Sequence, residues 1–166
     1  MNLKFGLLIL LALVSFSPVQ SFAATLSVSP STGVYTSGKT FTVKLVVNSE
    51  GKPINAAEGT LKFNPQEMTV VSIDKSASIF NLWVTEPTFS NSAGTITFSG
   101  GKPTGFTGSA GNIFNITFRT TSASNGRVSF STGSVLANDG MGTNVLSGMN
   151  GGTYTIQAPS AQPEAE

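Results

Sequence analysis

The stretch Leu61–Asp74, "LKFNPQEMTVVSID", reads as two β-strands joined at a corner. Leu61 and Phe63 alternate with Thr60 and Lys62, the period-two signature of a half-buried strand. Pro65 then fixes φ near −65° and removes a backbone donor, so the ladder breaks there. Asn64, just before the proline, is biased to extended geometry. An apolar run restarts at Met68, Val70, Val71 and Ile73. One strand leaves its sheet, and the next begins in a new direction.

The same alternation recurs on both sides of this corner. "TLSVSP" sets Leu26 and Val28 on one face, and "TFTVKLVV" does so with Phe41, Val43 and Leu45. "GTITFSG" points Ile96 and Phe98 inward and Thr95, Thr97 and Ser99 outward. "NIFNITFRT" aligns Phe114, Ile116 and Phe118. "RVSFST" buries Val128 and Phe130 and exposes Arg127, Ser129 and Ser131, and "GTYTI" closes with Tyr154 and Ile156. Ser37-Gly38 and Asn125-Gly126 offer turn residues before strands. No segment sustains a helical period. Short alternating runs bounded by Gly, Pro, Asn and Ser predict an all-β antiparallel sandwich or barrel.

The flanks differ from this domain. Residues 1–24, "MNLKFGLLILLALVSFSPVQSFAA", place Lys4 before an apolar run, Phe5 to Phe16, with small residues at the end. That is the pattern of a secretory signal peptide cleaved after Ala23 or Ala24. The apolar run is shorter than the roughly 20 residues a membrane span needs. The domain is expected over residues 25–157. Residues 158–166 are rich in Pro, Ala and Glu and are expected to form a disordered tail or linker. The whole chain has 166 residues, with 9 Lys and Arg against 8 Asp and Glu. Without Lys4 the charges of the chain balance, and a near-neutral chain with no basic patch argues against a nucleic-acid partner.

The chemistry available is narrow. The chain has no histidine and no cysteine. That removes the Ser-His-Asp triad, thiolate nucleophiles and Cys or His metal ligands. A glycosidase needs two carboxyl groups about 5–9.5 Å apart. Glu58, on a strand, is the one candidate, and it has no evident partner. "ANDGMGTN", Ala137 to Asn144, clusters oxygen ligands around glycines, but the ligand series of a calcium loop is absent. An Asn/Asp-Gly turn at Asn138-Asp139 is the simpler reading. The glycine-rich "SGGKPTGFTGSAG" has no following helix and reads as a surface loop, not a phosphate cradle. Trp83, the single tryptophan, alternates with Leu82 and Val84. Core packing and contact with a sugar ring both fit it.

The ordered set of strands resembles the bacterial cohesin module, the receptor half of the cohesin–dockerin pair in cellulosomes. "LSVSPSTGVYTSGKTFTVKLVVNS" is similar to the family's opening strands, and "AAEGTLKFNPQEMTVVSI" to its strand, Asn/Asp-Pro turn and strand. "GTITFSGG", "GNIFNITFRT", "NGRVSFSTGSVLANDGMGTNVL" and "GGTYTI" resemble its later strands. The resemblance implies a nine-stranded jelly-roll sandwich, related in fold to carbohydrate-binding modules. It implies a secreted, non-catalytic module without cofactor or metal, whose sheet face binds a dockerin-like protein domain. By match, the binding face carries Glu58, Thr60, Lys62, Thr95, Thr97, Ser99, Arg127, Ser129 and Ser131. The setting it implies is extracellular polysaccharide degradation or cell-surface assembly. Two other readings stay open: a carbohydrate-binding module using Trp83, and a structural spacer of a surface protein.

Overall fold

The computed structural model describes residues 24–160. The signal-peptide reading of residues 1–23 and the end of the tail, 161–166, lie outside the described residues. Eleven strands follow one another: β1 (Ala24–Ser29), β2 (Thr32–Thr36), β3 (Thr40–Asn48), β4 (Ile54–Phe63), β5 (Met68–Asp74), β6 (Leu82–Ser90), β7 (Thr95–Phe106), β8 (Gly111–Thr120), β9 (Ser124–Ala137), β10 (Leu146–Asn150) and β11 (Gly152–Gln157). They form two sheets, β10-β1-β3-β8-β5 and β2-β11-β9-β4-β7-β6. The all-β sandwich is as expected, but its strands number eleven rather than nine. β2 and β10 are five-residue edge strands with no fully buried residue, each paired in parallel with a neighbour distant in sequence. Periodicity cannot reveal a strand that only a long-range partner defines.

The corner lies where the sequence puts it. β4 belongs to the six-stranded sheet and β5 to the five-stranded one, so residues 64–67 carry the chain between layers. The Asn64 side-chain carbonyl accepts the Gln66 N–H at 3.0 Å. Its main-chain carbonyl accepts the N–H groups of Glu67 and Met68 at 3.0 and 3.1 Å. These bonds replace the ladder that Pro65 interrupts. The far side of the turn is tied down as well: the Thr121 and Ser122 hydroxyls both donate to the Gln66 carbonyl.

The core fills the space between the two inner faces. Leu26, Val43, Leu45, Leu61, Ile96, Phe114, Ile116, Phe118 and Val128 are all buried, each from an alternating run. Phe63 meets Phe118 edge-on, with ring centroids 5.6 Å apart. Tyr154 is fully buried, and its hydroxyl donates to the Pro30 carbonyl at 2.9 Å. Phe130, expected in the core, packs against it but stays partly exposed. The cause lies beside it in β9: Thr60 pairs with Thr132 and Leu61 with Phe130, so Ser131 bulges out of the ladder.

Candidate functional site

The inner side of the six-stranded sheet is spent on the core, which leaves its outer side open. Four adjacent strands, β9-β4-β7-β6, present this face. Eight of the nine residues the sequence assigns to a binding surface fall on its outward rows. Glu58 lies opposite Ser99, Thr60 opposite Thr97, and Lys62 opposite Thr95 on β7. On the other flank Lys62 lies opposite Ser129, and Arg127 is exposed two residues further along β9.

Ser131 is the exception. It is the bulged residue, and its hydroxyl donates to the Thr60 carbonyl at 3.2 Å. The bulge shifts the remaining parity of β9. Thr132 and Ser134, not Ser131, stand opposite Thr60 and Glu58. Strict alternation from Arg127 passes over both. Thr85 and Thr88 of β6 complete the face, since they pair with Ser99 and Thr97. A side-chain bond of 3.1 Å joins the hydroxyls of Thr88 and Thr97.

At the centre, Glu58, Thr60, Thr85, Thr97, Ser99 and Thr132 line a shallow depression of about 320 Å³. The Glu58 carboxylate accepts the Ser134 hydroxyl at 3.2 Å and, more loosely, the Ser99 hydroxyl at 3.5 Å. Those two serines hold an otherwise free anion upright in a field of small hydroxyls. At the corner end, Lys62, Asn64, Glu67, Arg127 and Ser129 border a second depression of about 430 Å³. Threonine and serine have little side-chain entropy to lose, so such a face is inexpensive to dock against.

Trp83 faces the other way. It pairs with Gly100 on the inward side of β6, and its ring meets Phe80 edge-on, centroids 5.9 Å apart. A Cβ on Gly100 would sit 2.5 Å from the Trp83 ring, so only glycine admits the indole there. Lys75 lies 5.6 Å from the ring centroid and also pairs with Glu86. Its chain neighbours Leu82 and Val84 point outward, 55% and 83% exposed.

The loop at residues 138–143 is a turn built on Asp139. The Thr143 hydroxyl and the Met141 N–H hold the Asp139 carboxyl below its usual range. Among the described residues, no group of three His, Cys, Asp or Glu side chains could hold a metal ion. Among the described residues there is no helix long and apolar enough to cross a membrane.

The cohesin domain model matches residues 24–156. The chain belongs to the cohesin domain family. Cohesins are non-catalytic binding modules. No curated protein matches the chain. Among solved structures, this cohesin shares its fold with the sixth cohesin of scaffoldin B from Acetivibrio cellulolyticus, crystallised with a dockerin. The two are 18% identical, with a TM-score of 0.65, over 81% of this chain and 99% of that one. A type I cohesin–dockerin complex from Clostridium thermocellum matches at 14% identity and a TM-score of 0.66, over 83% of this chain and 96% of that chain. A non-cellulosomal cohesin from Archaeoglobus fulgidus matches at 16% identity and a TM-score of 0.65, over 81% of this chain and 91% of that chain.

Proposed function

We propose that this cohesin is a secreted recognition module that binds a dockerin-like protein domain through the outer face of β9-β4-β7-β6. Its setting is extracellular polysaccharide degradation or cell-surface assembly. One observation supports the reading: eight of the nine residues that the family pattern assigns to a binding surface, all but Ser131, lie on the outward rows of one open sheet face. The family match and the dockerins in the similar complexes supply the class of partner. Secretion rests on the apolar leader followed by small residues at Ala23-Ala24.

Within this face, Arg127 and Lys62 are the charged anchors at the corner end. Arginine is enriched in binding hot spots where serine and threonine are not. Calorimetry against a panel of calcium-loaded dockerin domains tests the reading. Arg127→Glu combined with Lys62→Glu is expected to weaken capture at least tenfold, about 1.4 kcal/mol, with an unchanged Tm. Unaltered affinity in a folded double variant moves the site off this face. A glycan array run in parallel separates this function from carbohydrate binding, since a protein receptor gives no glycan signal.

A further inference from the structure

The corner that carries the chain between the sheets leaves a notch in one of them. β4 ends at Phe63, opposite Val128, and the turn at Pro65 then takes the chain away. β9 starts four residues before that level, at Ser124, and there it pairs with β11. Asn125 and Arg127 are therefore exposed on β9 with no β4 residue beside them. The turn holding Asn64 and Glu67 frames the gap, and the result is the depression of about 430 Å³ at the corner end.

Two cations and one anion border this notch. Lys62 is the last outward residue of β4, and Arg127 stands across the gap on β9. Among the described residues neither side chain forms an ion pair or a hydrogen bond. The Asn125 amide and the Ser129 hydroxyl are equally without a partner there, so neutral donors flank the cations. Other charges are already satisfied: Glu58 is held by two serines, and Lys75 by Glu86. Glu67, on the turn side, is the one acid on the rim. A single exposed Lys or Arg is ordinary surface. Here two converge with free donors on a concave site, and a guanidinium offers paired N–H groups that match a carboxylate.

Resting on the proposed function, we infer that this notch is a subsite for an acidic side chain, an Asp or Glu of the partner, held by Arg127 and Lys62 with Asn125 and Ser129 as neutral donors. Charge complementarity sets the occupant. A basic group meets two cations against one carboxylate, and a neutral group leaves both cations uncompensated. The acid sits on the β9 side of the notch, away from Glu67, and Glu67 limits how tightly it is held. Lys62 and Arg127 thereby select among partners by charge and speed encounter with those that carry the acid.

Biolayer interferometry against the same calcium-loaded dockerin panel tests this, with Tm recorded for every variant. Lys62→Met and Arg127→Met should each weaken binding severalfold at low salt, with the difference shrinking at high salt as screening takes over. Glu67→Gln should tighten binding at low salt. Weaker binding in folded Glu67→Gln, with tighter binding in the two Met variants, shows that the occupant is a cation and overturns the inference. In the tightest dockerin, each exposed Asp and Glu outside the calcium ligands is changed to Lys in turn. One such change should weaken capture by the wild type more than tenfold and be rescued by Arg127→Glu with Lys62→Glu. Absence of any rescued change overturns the subsite and keeps the face.

A second measurement needs no dockerin. N-acetyl-aspartate amide is titrated against the protein and followed by NMR at the side-chain N–H signals of Arg127 and Asn125. Saturable shifts, larger than sodium chloride gives at equal ionic strength and lost in the Lys62→Met, Arg127→Met double variant, support the site. Shifts no larger than those of sodium chloride overturn it. A wild-type protein that binds no panel member yet shows the saturable shifts overturns the proposed function and keeps the acid site.

Discussion

Phe63 is where the corner meets the core. It is 7% exposed, ends β4, and packs edge-on against Phe118 of the opposite sheet. Phe→Ala at a buried site costs roughly 3–5 kcal/mol, a large share of a stability of about 5–15 kcal/mol. Phe63→Ala should therefore lower Tm steeply in thermal unfolding, and Phe130→Ala, at its half-exposed place by the bulge, should lower it less. A Phe63→Ala protein that melts within a couple of degrees of the wild type would reverse the inward assignment of β4. Tyr154 gives a residue-scale pH dependence. Burial, with Tyr35 as a lesser cause, pushes its phenol well above the usual tyrosine range. The folded state thus holds this proton more tightly than the unfolded chain. The stability it confers is fully present below the unfolded value of about 10 and is lost as pH rises beyond it. Tm should fall above pH 10, and Tyr154→Phe should flatten that decline at the cost of the bond to Pro30, read by calorimetry across pH 8–11.

The open edges of the two sheets are treated unequally. On the free edge of β5, the Asn91 side chain does the work of a neighbouring strand. Its carbonyl accepts the Val70 N–H at 2.8 Å, and its amide donates to the Val70 carbonyl at 2.9 Å. On the free edge of β6, Pro87 supplies no donor, and two register shifts twist the strand. Unpaired edges invite pairing with other chains, and such devices blunt them. Asn91→Ala should leave both Val70 groups without a partner. An unsatisfied buried polar group costs about 1–3 kcal/mol, so the variant should melt earlier and self-associate more. Thermal scans with light scattering measure both; a monomeric variant of unchanged Tm would show that β5 needs no guard.

For the molecule as a whole, the proposed secretion makes the N-terminus of the secreted chain a test. Ala24 is buried in β1, and its N–H donates to the Val145 carbonyl at 2.9 Å. A chain cut after Ala23 keeps this contact, and one cut after Ala24 loses it. Intact-mass measurement of secreted protein should show Ala24 or Thr25 at the N-terminus, with Ala24 favoured by its packing. Secreted material that retains Met1 would remove the signal-peptide reading. With no cysteine in the chain, no disulfide assists this sandwich, so its cohesion is the apolar layer between the sheets. That layer also frees the outer sheet face for a partner.

Alternation by itself determined the strands that bury a face, because a period of two needs no partner to be visible. Leu61 and Phe63, Ile96 and Phe98, and Phe114, Ile116 and Phe118 all lie inward as that period requires. Asn64-Pro65 determined the corner through a fixed φ and a missing donor. Only the tertiary structure decided where the period slips. Ser131 and Val84 bulge because the strands beside them are one residue shorter over the same span. No local signal in "RVSFST" or "NLWVT" announces that mismatch. The slip in β9 took Ser131 out of the outward row and set Thr132 and Ser134 in it, and the slip at Val84 set Thr85 in it. Edge strands β2 and β10 were equally hidden, since their parallel partners lie more than a hundred residues away in the chain. Register is a property of pairs of strands, and a single strand's sequence does not contain its neighbour's length.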